Sequence, residues 1–361
     1  MFRRSEKASV SGKPMPDTTA KSNEHVIDLP PRHHWLGLPV IQPIRGTLGQ
    51  VFAHLPHFGR QPFTMSSVNG SEMAVNPYLD MIYRVPARQG ESPLPVGVVS
   101  KNYRLVDHHH VLRTIEEVLA DCDIDPAKIE VWAEWTVHGE RARFSLIFPS
   151  GERFSVKLGD QDEMRFRIEV FNSVEGSCRL MAVAGWLRFV CLNGLILGTA
   201  VMQLQRQHRQ QLQIEELGRL LREALQSADK DQQTLAKWRS SWIEADALTE
   251  WADEDVYKKW GIKGAVRVLE ISRTGWDAEP KGDLRNKRPS EVTIEKTIEV
   301  PGIDPPVENA FGVSQALTWV AGQRTELQED LEWRSQVPEL VALLLKRSSG
   351  KTPLFASLTT D

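Results

Sequence analysis

The stretch that most constrains this chain is residues 129 to 204, where a two-residue alternation gives way to a long apolar run. Val131, Ala133, Trp135 and Val137 alternate with polar neighbours. That period belongs to a strand with one buried face. His138-Gly139-Glu140 reads as a turn, and a returning strand over 142 to 148 stops at Pro149-Ser150-Gly151. A third strand is expected over 153 to 158. A fourth covers 164 to 171, where Met164, Phe166, Ile168 and Val170 alternate with Arg165, Arg167 and Glu169. Residues 178 to 204 then read as a strand followed by a buried helix, interrupted by Gly185 and Asn193-Gly194. The expected fold class is α+β: an antiparallel β-meander core with packed helices and a helical C-terminal half.

The flanks divide the remainder. Residues 1 to 30 are polar and aperiodic, the composition of a disordered arm. A proline-rich, extended lead-in follows, with room for a helical turn near 46 to 52, and it opens an α+β core over 31 to 200. Within the core, strands are expected over 81 to 86 and 96 to 100. Asp107 stands where an N-cap would stand, before a helix with Val111, Leu112, Ile115, Val118 and Leu119 on one face. Residues 201 to 256 suggest a helical hairpin with a break at Ser227-Ala228-Asp229-Lys230. Residues 257 to 307 are charged, contain Gly and Pro and lack periodicity, so they read as a basic, irregular excursion. A last helix over 308 to 347, kinked at Pro338, is expected to pack on the core, with a flexible tail over 348 to 361.

Composition narrows the class. The 361 residues carry a formal net charge of -4 and three cysteines. So few cysteines exclude a disulfide-stapled secreted domain and fit a reducing cytoplasm. The start has no apolar stretch behind its positive charge and does not read as a signal peptide, and no window reaches the length of a membrane span. Walker, dinucleotide-binding, nucleophile-elbow and His-Glu-x-x-His motifs are all absent, which argues against the common nucleotide-dependent and hydrolytic classes.

The run Asn172-Ser173-Val174-Glu175-Gly176-Ser177, followed by Arg188-Phe189-Val190-Cys191-Leu192-Asn193-Gly194, resembles the signature of the phage/plasmid-like proteins grouped as domain of unknown function 932. Residues 97 to 103 resemble that family's early strand and Tyr turn, and residues 309 to 318 its late Asn-Ala helix start. The sequence departs from the family at Val174-Glu175, where relatives often carry His-Asp. The resemblance spans roughly residues 80 to 345. It implies a mobile-element setting near DNA metabolism and assigns no reaction.

Two sets of residues are candidates for function. The first is the signature cluster Asn172, Ser173, Glu175, Gly176, Arg188, Cys191, Asn193 and Gly194. It would make a polar ligand site at a strand end, with Arg188 pairing Glu175. Turn chemistry accounts for the same residues without a ligand. The second lies in the excursion: Lys258, Lys259, Trp260, Lys263, Arg273, Trp276, Arg285, Lys287 and Arg288. Between 257 and 288 there are nine basic residues against four acidic ones. Cations that track phosphates, with aromatic faces that stack bases, are the pattern of single-strand binding. A solvated loop whose tryptophans pack back on the body would look the same in a chain with eleven tryptophans.

No cofactor and no metal is expected. Cys178 and Cys191 lack further ligands at zinc spacing, and adjacent histidines at 108 to 110 point in different directions. His33-His34, His54 and His57 would join them only through folding. The expectation is a cytoplasmic, non-catalytic mobile-element accessory of DNA metabolism with no membrane partner, whose oligomeric state stays open and whose partner is single-stranded DNA or a recombination or replication protein encoded on the same element. Two alternatives stay open: a protein-interaction component of a defence or counter-defence module, docking through Trp238 and Trp242, and an enzyme centred on Asn172, Ser173, Glu175 and Arg188.

Overall fold

The computed structural model describes residues 44–66, 73–151, 153–160, 162–178, 180–189, 193–197 and 214–349. In chain order the elements are β1 (Ile44–Thr47), α1 (Leu48–Phe52), β2 (Phe58–Ser66), β3 (Met73–Arg84), β4 (Leu94–Ser100), α2 (His108–Asp121), β5 (Glu130–Trp135), β6 (Arg141–Ile147), β7 (Ser155–Lys157), β8 (Glu163–Ser173), β9 (Met181–Arg188) and β10 (Asn193–Leu195). There follow α3 (Ile214–Ser240), α4 (Ala245–Trp251), α5 (Tyr257–Thr274), β11 (Trp276–Pro280), β12 (Ile294–Glu299), α6 (Ala310–Ala321) and α7 (Leu327–Ser349). The fold is α+β, with an antiparallel meander at its centre and helices dominating the C-terminal half. Among the described residues no helix is long and apolar enough to cross a membrane.

The main sheet runs β1-β5-β6-β8-β9-β10, and β7 pairs with the start of β8 on the side that β6 occupies further along. Register follows the alternation in the sequence. Phe144 faces Val170, Phe166 faces Trp186 and Ile168 faces Ala184, all on one face. That face meets α2 and α3 in the main core, where Val111, Leu112, Ile115, Leu217 and Leu221 are buried. Fully burying each such side chain contributes roughly 1.5–3 kcal/mol. A second sheet, β2-β3-β4, carries its own small cluster of Phe58, Ile82, Val99, Tyr103 and Val174.

Four expectations need correction. The run after residue 178 is not strand then helix: β9 returns as β10, with Leu195 opposite Trp186. Gly185 permits this approach, because a Cβ there would stand 2.5 Å from the Leu195 carbonyl oxygen. Nor is there a hairpin with a break at Ser227–Lys230. One helix, α3, runs through those residues, with Ala228 fully buried and the Ser227 hydroxyl bonded to the Ala224 carbonyl. None of the four is Gly or Pro, so nothing obliges the helix to stop.

The third correction concerns 257 to 307, which holds α5 and the β11–β12 hairpin rather than irregular chain. Ala265, Val266, Val268, Leu269 and Ile271 give α5 a buried side that its charges obscure in the sequence, and Gly275, at φ 77°, ends it in the left-handed conformation. Fourth, the last helix is two, α6 and α7, and Pro338 lies inside α7 without ending it. The expected arm over 1 to 30, the lead-in before residue 44 and the tail from 350 lie outside the described residues.

Helix α3 crosses the edge of the sheet. Gln232 donates to the Ser155 carbonyl at 2.9 Å, and buried Trp186 donates its indole N–H to the Asp231 carboxylate at 3.2 Å. Burial raises the pKa of Asp231 from 3.8 to about 6, against the lowering effect of the Trp186 bond. The folded state therefore holds this proton more tightly than the unfolded chain does. Stability from this group falls as pH rises from about 4 to about 6. Asp231→Asn, which keeps an acceptor for Trp186, is expected to raise the urea midpoint at pH 7 and to flatten that part of the pH–stability curve.

Candidate functional site

The signature residues at 172 to 178 close the end of β8 onto three other elements. Asn172 is fully buried and donates to the Val106 carbonyl at 2.9 Å and to His108 Nδ1 at 3.0 Å. His108, at the start of α2, reaches the Gly139 carbonyl through Nε2 at 2.8 Å. An acceptor at Nδ1 and a donor at Nε2 describe a neutral ring, and burial likewise holds the His108 pKa below its ordinary value. The Asn172 Oδ1 atom is buried with no hydrogen-bond partner among the described residues.

Ser173 Oγ bonds both the Cys178 N–H, at 3.1 Å, and the Cys178 carbonyl, at 2.9 Å, pinching the loop shut. Glu175 accepts from Arg141 Nε at 2.7 Å and from the Ser177 N–H at 2.6 Å. Gly176 has φ 84°, and a Cβ there would press on the Tyr103 ring at 3.1 Å. Gly97, from the early strand, lies so close to Glu175 that any side chain would collide with it. Burial pushes the Cys178 thiol up to about 11, so it is a protonated thiol rather than an activated nucleophile.

Arg188 stands elsewhere. It faces Met164, whereas Asn172 lies eight residues further along β8, a separation of about 27 Å at strand rise. The expected Arg188–Glu175 pair is therefore replaced by Arg141–Glu175. Arg188 instead clamps Asp162 through Nε and a second guanidinium nitrogen, donates to the Gly302 carbonyl at 2.6 Å, and lies over the Phe311 ring at 5.8 Å. Asn172, Ser173, Glu175 and Arg188 cannot converge on one substrate. Cys191 lies outside the described residues; Asn193 and Gly194 belong to β10, opposite Arg188 and Leu187.

The excursion residues also divide. Trp260 is buried and stacks on Trp333 at 4.5 Å, with its indole N–H bonded to Gln336, so it offers no face to a base. Lys259 pairs with Glu339 and Arg285 with Asp283, and Arg273 donates to Thr249. Lys258, Lys263, Lys287 and Arg288 are exposed and in no ion pair with another described residue, and Trp276 is 37% exposed. Ser290 bonds Asp253 through both its N–H and its hydroxyl, which lays the Lys287-Arg288 turn beside the start of α5, where Tyr257 is 47% exposed.

Sequence reasoning missed a buried charge network on the second face of the sheet. Glu169 accepts from Arg143 at 2.6 Å, Arg167 at 2.7 Å and Arg334 of α7 at 3.4 Å, and Arg334 also clamps Asp330. Burial alone would raise the Glu169 pKa, but Arg167, Arg143 and Arg334 together outweigh it and hold the carboxyl well below its ordinary range. The alternation of Arg167 and Glu169 marked this face; Arg334 carried no signal in the sequence. Beside the network, Arg45, Trp132, Glu134, Arg143 and Ser145 line a pocket of about 120 Å³, room for a few waters rather than a nucleotide.

One group of possible metal ligands is present among the described residues: His57, Asp107 and His109. His54 is apart from it, bonded through Nδ1 to the Gln50 carbonyl, and His33-His34 lie outside the described residues.

The fold and its anchored signature loop define an α+β sheet protein whose motif residues hold elements together. The chain belongs to the family described as domain of unknown function (DUF932), whose model matches residues 95–288, more than half of its length. No curated protein and no solved structure matches it significantly.

Because Asn172 joins α2 to the end of β8, Asn172→Ala leaves His108 Nδ1 and the Val106 carbonyl without their buried donor. It is expected to cost about 1–3 kcal/mol in urea unfolding, while any binding through the exposed cations of α5 is unchanged.

Proposed function

We propose that this protein is a non-catalytic nucleic-acid-binding accessory of a mobile element that takes single-stranded DNA on the surface where α5 begins. The observation that carries the reading is the Ser290–Asp253 contact, which brings the exposed Lys287-Arg288 turn towards the start of α5, where Tyr257 and Lys258 are exposed. Exposed cations bind phosphates, and an exposed aromatic ring stacks a base of any identity. Lys263 and Trp276 extend the same character along α5 and beyond its end. The surface is modest, since β12 brings Glu295 onto Lys281. Affinity that depends steeply on salt is the corollary.

A second reading, docking of a partner protein, has one observation in its favour. Trp242 is 61% exposed, although Trp238, named with it, is 5% exposed and belongs to the core. A single exposed tryptophan supports a partner less well than several exposed cations and an exposed aromatic residue support a polyanion.

Fluorescence anisotropy of a labelled oligothymidylate on the full chain tests the first reading. Binding at low salt is expected, and Lys287→Glu with Arg288→Glu should weaken it at least tenfold. Losing two phosphate contacts should lower the slope of log affinity against log salt by about 1.4, at roughly 0.7 per contact on a single strand. No binding at low salt, or equal binding by the double variant, removes the proposal.

A further inference from the structure

We propose that His57, Asp107 and His109 form a binding site for a divalent transition metal of the zinc class. The three come from two elements: His57 lies just before β2, Asp107 caps α2, and His109 is in the first turn of that helix. Their ligand atoms all lie within 4.8 Å of one another. His109 Nδ1 and Asp107 Oδ1 are 3.2 Å apart. In a tetrahedral site with metal–N and metal–O bonds of about 2.0–2.2 Å, neighbouring ligand atoms stand about 3.3 Å apart. These two atoms are thus already at ligand spacing, and the metal takes the place of the proton between them.

Asp107 can ligate and still cap its helix. An ionised carboxylate offers about four lone-pair positions. Asp107 uses one for the His109 N–H at 3.2 Å, one for His109 Nδ1 and one for the Phe58 N–H at 3.3 Å. Only the second is exchanged when the metal enters, so both backbone bonds survive. In exchange, the imidazole proton of His109 moves to Nε2 or leaves to solvent.

His57 needs one movement. Its ring is stacked on His109 with centroids 3.9 Å apart and planes 5° from parallel. An imidazole binds a metal in its own plane, and two parallel planes do not meet at one ion. The ring must therefore turn out of the stack. The exposed His57 side chain makes no hydrogen bond with a described residue, so only the stack resists that turn. Two imidazole nitrogens and one carboxylate oxygen suit zinc, cobalt, nickel or copper, whereas calcium and magnesium demand mostly oxygen. Three protein ligands leave a fourth position for water or an external donor. The bound ion would tie the segment entering β2 to the α2 N-terminus.

Titration of the untagged full chain with Co²⁺, followed by visible absorption, tests the site. One equivalent is expected to produce the bands of cobalt in low coordination, and Zn²⁺ should displace them. His57→Ala, at an exposed position, should weaken Co²⁺ binding at least tenfold and abolish the rise in melting temperature that Zn²⁺ gives the parent. Urea unfolding of the metal-free variant, expected to match the parent, separates loss of a ligand from loss of the fold. No saturable uptake at metal concentrations up to about 0.1 mM, or undiminished uptake by His57→Ala, overturns the proposal. The latter result would assign any bound metal to others of the ten histidines.

Discussion

Strand β8 is covered on both faces, and the second face carries charge. That constraint organises the molecule. Arg167 and Glu169 cannot reach water there, so their charges must be answered from within the protein. Arg143 of β6 supplies part of the answer and Arg334 of α7 the rest. A buried ion pair adds little net stability compared with an apolar pair of the same shape, but removing one partner leaves an uncompensated charge and costs about 3–5 kcal/mol. The network therefore acts on specificity. It admits α7 against the sheet where Arg334 meets Glu169, and in that position Leu331 packs with Phe171, Met181, Val183 and Ile196.

The signature residues serve the same end at the two ends of the strands. Gly97 and Tyr103 dock on Glu175 and Gly176, so the early strand and the signature loop, far apart in sequence, are one contact in space. At the other end Arg188 meets Gly302 and Phe311, joining the second half of the signature to the late helix start. The pieces by which the chain resembles its family are thus pairs of complementary surfaces. Asn, Ser and Gly at these positions close a turn and admit a close approach, which accounts for them without a substrate.

The excursion shows why charge counted along a sequence overstates charge on a surface. Arg267 is drawn into a partly buried pair with Asp277, which also accepts from the Trp319 indole, and Lys281 is met by Glu295 of β12. Among the cations that stay exposed, Lys258, Lys287 and Arg288 form the group at the start of α5, while Lys263 and Arg273 stand further along the helix. The position of that group depends on Ser290 binding Asp253, a contact between residues 37 positions apart.

The meander, the N-cap at Asp107 and the helix start at Asn309 were legible because each depends on neighbours within a few residues: period-two alternation, a capping side chain, a turn. The continuity of α3, the pairing of β10 with β9 and the burial of α5 were not, since propensity there is weak and tertiary contact decides. The same division separates the sites. Sequence alone named Lys287, Arg288, Glu175 and Arg188, and marked His57 and His109 as isolated features. Only the folded chain gave Glu175 to Arg141, sent Arg188 to Asp162, and brought His57 against His109. Those outcomes turn on which strands lie side by side and which helix covers which face, and such long-range geometry leaves no local pattern to read.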